Sequence, residues 1–205
     1  MIVRLYEENP RQKEIDQVLK VLNNGGVIIY PTDTGYCMGC DLHSKKGLEK
    51  LLSIKRSKKK EYLSFVCSSL KHISDYAVVS NDSFKIMKKC LPGPYTFILE
   101  STNQVYKLVS KGKKSVGIRI PNNNIILTLV KDLGRPIIST SINQEGDFDN
   151  VLADVEDIKA KYSKLVDCII DSGYIYPELS TVIDLSDYEI EIVREGKGSV
   201  DWLIN

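Results

Sequence analysis

Short runs of β-branched residues alternate with segments of helical periodicity along this chain, and this alternation restricts its fold more than any other feature. From Arg11 to Asn23, for example, apolar residues recur at helical spacing, and Gly25-Gly26 then provides a helix-stop signal. Further helical segments are predicted at residues 46–55, 83–90 and 125–133 and from Asp154 onward. Strands are predicted at residues 27–30, 63–67, 95–100, 115–120, 136–139, 168–171, 181–184 and 189–194.

The order of these elements predicts the class of fold. Helices and strands alternate first, and strands then cluster toward the end of the chain. This order favours an α/β fold with a twisted open sheet of parallel and antiparallel strands and flanking helices. No internal repeat or linker divides the chain, so residues 1–205 are interpreted as one domain. Pro31 is expected to end the pairing of the strand 27–30, because proline has no N–H to donate to a neighbouring strand.

Composition and cysteine content exclude several classes of protein. The chain has no apolar run of roughly eighteen residues and a charged N-terminus, Met1–Glu8, so a cytoplasmic protein with no membrane partner is expected. Its five cysteines are an odd number, which disfavours a disulfide framework. Cys37 and Cys40 form a C-x-x-C pair, but no second pair of ligands follows, so buried core cysteines are favoured over a metal site.

Common nucleotide and nucleophile motifs are absent from the sequence. It contains no P-loop, no G-x-G-x-x-G after a strand and no G-x-S-x-G. Neither of the two histidines lies close in sequence to a plausible nucleophile. A bound organic cofactor in a Rossmann site and a serine hydrolase are therefore not expected, whereas a nucleotide site of another kind is still allowed.

The formal net charge is only +1, but the charges are unevenly distributed along the chain. Residues 45–60 contain eight basic residues and a single acid, Glu49. Such a basic block indicates either a contact with a polyanion or a solvated lysine-rich loop. The charges alone leave both interpretations open.

Polar residues cluster where the predicted strands end, which is where ligands bind in open α/β sheets. Each cluster alone has a structural explanation, because serine and threonine often cap backbone groups and a strand arginine often pairs with an acid. Together they supply the cations and hydroxyl donors that a triphosphate and a small zwitterion require. The clusters are Thr32-Asp33-Thr34-Gly35, Lys55-Arg56, Pro92-Gly93-Pro94-Tyr95-Thr96, Arg119 within Val116–Pro121, Ser139-Thr140-Ser141-Ile142-Asn143, Ser180-Thr181 and Arg194-Glu195-Gly196.

In this order the clusters resemble the motifs of the YrdC-like family of threonylcarbamoyl-adenylate synthases, over roughly residues 12–200. The block Ile54–Cys67 and the ending Ile192–Gly198 resemble the YciO branch of that family. The resemblance implies a sheet with a concave, positively charged face. It also implies that ATP, L-threonine and bicarbonate give threonylcarbamoyl-AMP and pyrophosphate, for the t6A37 modification of tRNA. Mg²⁺ would bridge the phosphates of ATP, and double-stranded RNA or tRNA would be a further partner.

The resemblance also implies roles for individual residues. Those for ATP are Lys55, Arg56, Ser139, Ser141, Asn143 and Arg194. Those for L-threonine are Thr32, Thr34, Arg119 and Ser180, and Lys58, Lys59 and Lys60 would form an RNA-binding surface. The family's Lys-x-Arg pattern is altered here, because Ser57 stands two residues after Lys55. The alternative is a non-catalytic protein of the same fold that binds double-stranded RNA, tRNA or rRNA.

Overall fold

The computed structural model describes residues 1–55, 63–103, 114–144, 147–187 and 189–204. Its strands are β1 (Ile2–Arg4), β2 (Ile28–Thr32), β3 (Gly35–Asp41), β4 (Ser64–Val66), β5 (Tyr95–Glu100), β6 (Ser115–Arg119), β7 (Ile137–Ser141), β8 (Asn143–Gln144), β9 (Asp147–Val151), β10 (Cys168–Asp171), β11 (Thr181–Asp184) and β12 (Glu191–Arg194). Its helices are α1 (Gln12–Asn23), α2 (Lys45–Lys55), α3 (Leu70–Ile73), α4 (Asn81–Cys90), α5 (Asn124–Leu133), α6 (Val155–Tyr162) and α7 (Asp201–Ile204).

Ten of the strands form one sheet in the order β1-β10-β2-β3-β7-β4-β6-β5-β11-β12. Four neighbouring pairs are parallel, namely β1 with β10, β10 with β2, β4 with β6 and β5 with β11. The other five pairs are antiparallel, and β8 and β9 form a separate hairpin. The predicted open sheet of mixed strand direction with flanking helices is confirmed.

One face of the sheet carries the larger hydrophobic core. Side chains on alternate strand positions, such as Met38, Phe65 and Phe97, are fully buried there. Helices α2, α4 and α6 cover them through Leu51, Met87 and Ile158, among others. We call this the packed face, and its burial supplies most of the hydrophobic stabilisation of the central strands.

The opposite face is covered only in part. Helices α1 and α5 pack on one side of it, around Tyr30, Val66 and Ile137. Beyond them lies a strip of residues that are only half-buried and, apart from one isoleucine, small or polar. We call this strip the trough, and its residues are Ser64, Thr96, Ile98, Gly117 and Ser141.

The end of β6 and the turn between β2 and β3 contact each other at one end of the trough. The Arg119 side chain at the end of β6 donates a hydrogen bond of 2.8 Å from Nη2 to Oγ1 of Thr34, in the turn between β2 and β3. In a flat sheet three strand spacings, roughly 14 Å, would separate β3 from β6. Since the contact is made, the sheet is not flat here, and the twist common to β-sheets brings the two segments closer together.

The structure differs from the predicted elements at a few positions. The prediction that Pro31 ends strand pairing is wrong, since β2 continues and Pro31 pairs with Tyr36 of β3. Proline is tolerated here because β10 pairs with β2 only at Ile28 and Ile29, so Pro31 has one neighbouring strand. Strands β1, β3, β8 and β9 and the short helices α3 and α7 were not predicted from the sequence.

All five cysteines are free and buried, as the sequence predicted. Cys37 and Cys40 lie in β3, whose seven residues are all buried. Burial raises the pKa of the Cys40 thiol to about 12. These thiols therefore behave as small hydrophobic groups of the core. Among the described residues, no helix is both long enough and apolar enough to span a membrane.

Candidate functional site

The turn between β2 and β3 brings three of the predicted residues together. Thr32 lies at the end of β2, and its hydroxyl donates to the carbonyl oxygen of Gly35 at 2.6 Å. The Thr34 hydroxyl lies 3.1 Å from the Thr32 hydroxyl and accepts the hydrogen bond from Arg119. Two hydroxyl groups and a guanidinium therefore converge at one end of the trough, although they come from distant parts of the sequence.

Arg119 is held in place by an ion pair with Asp33. Nη2 of Arg119 lies 3.2 Å from Oδ1 of Asp33, and the two side chains are only 8% and 10% exposed. Oδ2 of Asp33 accepts a hydrogen bond of 2.9 Å from the backbone N–H of Asn122. Because both charges are largely removed from water, each depends on the other for compensation.

The same turn is also contacted by the C-terminal part of the chain. The backbone N–H of Glu178 donates to the carbonyl oxygen of Thr34 at 3.2 Å. Nζ of Lys197 donates to the carbonyl oxygen of Asp33 at 2.6 Å. The turn is therefore held both by residues 119–122 and by the C-terminal part of the chain.

A row of small residues runs from the buried Ser139 to Ser64 and Gly117 of the trough. In the strand register Ser139 lies opposite Ser64, which in turn lies opposite Gly117. The Tyr30 hydroxyl donates to Oγ of Ser139 at 2.6 Å, and burial raises the pKa of Tyr30 well above its ordinary value. Tyr30 therefore stays protonated, and the hydroxyl hydrogen of Ser139 is available for another acceptor.

Lys55 and Ser141 mark a second part of the site. Lys55 is the last residue of α2, and its Nζ donates to the carbonyl oxygen of Ser141 at 2.7 Å. Two residues beyond Ser141, Asn143 begins β8. The other predicted residues of this region, namely Arg56, Lys58, Lys59 and Lys60, lie outside the described residues.

Ser180 and Arg194 lie together on the far side of the trough. Nε and Nη2 of Arg194 donate to the carbonyl oxygen of Ser180 at 3.1 and 2.9 Å. The Ser180 hydroxyl lies 2.9 Å from the hydroxyl of Thr96. The structure thus joins Ser180, predicted for L-threonine, to Arg194, predicted for ATP.

Glycines determine the path of the chain beside Arg194. A Cβ atom at Gly196 would overlap the carbonyl oxygen of Leu179, and one at Gly198 would overlap the ring of Tyr95. The segment from Arg194 to Gly198 can therefore lie directly against the start of β11. This close approach explains why glycine is required at both positions.

Sequence reasoning assigned no role to several residues that the structure places in the site. Asp33 is the clearest case. The sequence indicated it only indirectly, because an arginine within a buried strand needs an acidic partner. Lys197 and Tyr30 had no such signal, because their partners lie far away in the sequence. Thr96 was noted within a motif but received no role.

A metal-binding cluster is not found in the described part of the chain. There, no three residues of the His, Cys, Asp and Glu types come close enough together to hold a metal ion. The two cysteines of the C-x-x-C pair are buried within β3.

Comparison with known proteins shows which proteins this chain resembles in sequence. The Sua5/YciO/YrdC family model, described as "Telomere recombination", matches residues 20–196. The chain is 39% identical over 197 residues to YciO of Escherichia coli, described as uncharacterised, which covers 96% of this chain and 95% of that protein. It is 31% identical over 136 residues to a threonylcarbamoyl-AMP synthase of Psychromonas ingrahamii, which covers 65% of this chain and 71% of that enzyme.

Two solved structures show the same arrangement of strands and helices. The crystal structure of E. coli YciO superposes with a TM-score of 0.92, covers 98% of both chains and has 38% sequence identity. The crystal structure of P. abyssi Sua5 complexed with L-threonine superposes with a TM-score of 0.90 at 22% identity. The superposition covers 99% of this chain but only 59% of Sua5, so this second likeness concerns the fold alone.

Proposed function

Because this chain belongs to the Sua5/YciO/YrdC family, we propose that it is a synthase of threonylcarbamoyl-AMP or a close functional relative. The observation that carries this proposal is the assembly of Thr32, Thr34 and Arg119 at one end of the trough. Two hydroxyls and a guanidinium suit the hydroxyl and carboxylate of an amino acid such as L-threonine. Cations at Lys55 and Arg194 suit the phosphates of ATP.

The reaction needs positioning more than it needs a protein nucleophile. The amine of L-threonine first takes up bicarbonate and loses water, which forms a carbamate. A carbamate oxygen then attacks the α-phosphorus of ATP, and the bond to the β-phosphate breaks with release of pyrophosphate. Phosphoryl transfer of this kind is promoted mainly by alignment and charge neutralisation, so the absence of a catalytic triad is no obstacle.

Residues on the two sides of the trough divide these tasks in our proposal. Thr34 and Arg119 orient the amino acid through its hydroxyl and carboxylate. Lys55 and Arg194 neutralise the charge that develops on the phosphates during transfer. Mg²⁺ accompanies ATP as part of the substrate and bridges its phosphates.

We expect Lys55→Ala to lower the rate of pyrophosphate release roughly a hundredfold, since it removes a cation from the transferring phosphates. Purified protein is incubated with ATP, L-threonine, bicarbonate and Mg²⁺, and pyrophosphate is measured with and without L-threonine. The matched control is Lys45→Ala at the other end of α2, whose side chain is 90% exposed. Wild-type protein that releases no threonine-dependent pyrophosphate would contradict the proposal.

RNA binding is a second proposed function, and the exposed lysines Lys45 and Lys46 of α2 favour it. They precede Lys58, Lys59 and Lys60 in the chain and extend the same basic block. Contacts between several lysines and phosphates make binding strongly dependent on salt. The two functions are compatible with each other.

We expect the affinity for a short RNA duplex to fall about tenfold or more between roughly 50 and 200 mM salt. The triple change of Lys58, Lys59 and Lys60 to alanine should remove most of this dependence. Fluorescence anisotropy at several salt concentrations measures both effects. An affinity that is insensitive to salt, or unchanged in the triple variant, would rule out this surface.

A further inference from the structure

At the end of the trough proposed to bind L-threonine, Arg119 and Asp33 together provide no net positive charge for a ligand carboxylate. Arg119 is a cation, but its charge is offset by the buried carboxylate of Asp33 at 3.2 Å. A ligand carboxylate that approaches Thr34 therefore meets a pair with no net charge. Binding a carboxylate in a partly desolvated site needs a net positive charge close by.

Lys197 is placed to supply that charge. Its Nζ lies 2.6 Å from the carbonyl oxygen of Asp33, which belongs to the peptide group immediately before Thr34. Among the ion pairs of the described residues, none involves Lys197. An ammonium group has three donors, so the bond to Asp33 leaves two donors for a ligand.

The backbone beside Lys197 is fixed before any ligand arrives. The Lys197 N–H donates to the carbonyl oxygen of Leu179 at 2.8 Å, and the Gly196 N–H donates to Oγ1 of Thr181 at 3.0 Å. The close packing of Gly196 and Gly198 allows no side chain on either side of Lys197. A lysine on a fixed backbone loses less conformational freedom on binding than one on a loose loop.

We infer that Lys197 provides the net positive charge that binds the carboxylate of the amino-acid substrate, while Arg119 and Thr34 set its orientation. This inference rests on the function proposed above and adds a binding residue to the same site. The inference requires that the ligand carries a free α-carboxylate. A ligand whose carboxylate is converted to an amide has no charge for Lys197 to attract.

The test is isothermal titration calorimetry of the full chain, with and without a non-hydrolysable ATP analogue. We expect Lys197→Met to weaken binding of L-threonine about tenfold or more, because a charge-assisted hydrogen bond is lost. L-Threoninamide should bind wild type and Lys197→Met equally. The control Lys164→Met changes an exposed lysine that follows α6 on the packed face and should bind both ligands like wild type.

Equal binding of L-threonine by wild type and Lys197→Met would overturn the inference, and so would wild-type protein that binds no L-threonine under either condition. A loss that is the same for L-threoninamide would show a structural effect and would also overturn it. The pyrophosphate assay is a separate readout. Protein that binds L-threonine through Lys197 but releases no pyrophosphate would refute the proposed reaction and leave the inference standing.

Discussion

Replacing Arg119 with methionine is expected to lower threonine-dependent pyrophosphate release by roughly two to three orders of magnitude. The substitution removes the hydrogen bond to Thr34 and the cation that, in our proposal, orients the amino acid. It also leaves the carboxylate of Asp33 buried without its partner, which costs roughly 3–5 kcal/mol of the free energy of unfolding. Activity at saturating and limiting L-threonine and urea unfolding measure the two effects.

A second variant separates the catalytic loss from the loss of stability. In the double variant Arg119→Met with Asp33→Asn, both charges are removed, and the oxygen of the new side-chain amide can still accept the hydrogen bond from the Asn122 N–H. We expect the double variant to recover most of the stability, because no uncompensated charge remains buried. Its activity should stay as low as that of the single variant. Recovery of activity together with stability would mean that Arg119 acts only on the fold.

The largest effect on stability alone is expected for Phe97→Ala in β5. The Phe97 ring is fully buried on the packed face, in a strand that lies between β6 and β11. Removing a buried aromatic ring costs roughly 3–5 kcal/mol in lost burial and in the cavity that remains. For a chain of this size the melting temperature should fall by roughly 10 °C.

Phe84→Ala in α4 is the matched control for this prediction, because its side chain is of the same kind but 44% exposed. We expect its free energy of unfolding to change by less than about 1 kcal/mol, since much of the ring already contacts water. Chemical denaturation of the three proteins measures both values. Similar losses for the two variants would mean that the packed face does not dominate the stability of the sheet.

For some strands, the first and last residues could be predicted from the sequence. The predicted segments 95–100, 168–171 and 181–184 coincide with β5, β10 and β11. Each is a short run rich in β-branched or aromatic residues, bounded by residues that favour turns. Local preference and tertiary context agree in these strands, so the local pattern was sufficient.

Strand β3 could not be recognised in the same way. Its sequence, Gly35–Asp41, contains two glycines and an aspartate, which are residue types depleted in strands. It forms because β2 and β7 pair with it on both sides. This pairing depends on the whole sheet and leaves no local periodicity in the sequence.

Residues of the candidate site could be predicted from the sequence only where they belong to a motif of the family. The resemblance grouped Thr32, Thr34, Arg119 and Ser180 for L-threonine. The structure brings the first three into contact, whereas Ser180 contacts Thr96 and Arg194. The partnership of Arg119 with Asp33 was visible only as the general need of a buried cation for an acid. The contact of Lys197 with Asp33 spans 164 residues, and no pattern in the sequence indicates which distant lysine approaches the turn.

The contacts of the β2–β3 turn also bear on how this protein folds. Arg119, Asn122 and Lys197 reach the turn from 85, 89 and 164 residues further along the chain. Closing loops of this length is slow compared with forming local hairpins and helices. The hairpin of β2 and β3 can therefore form early, whereas the contacts that fix its turn form only after distant strands have come together. We expect these contacts to be among the last to form when the protein folds.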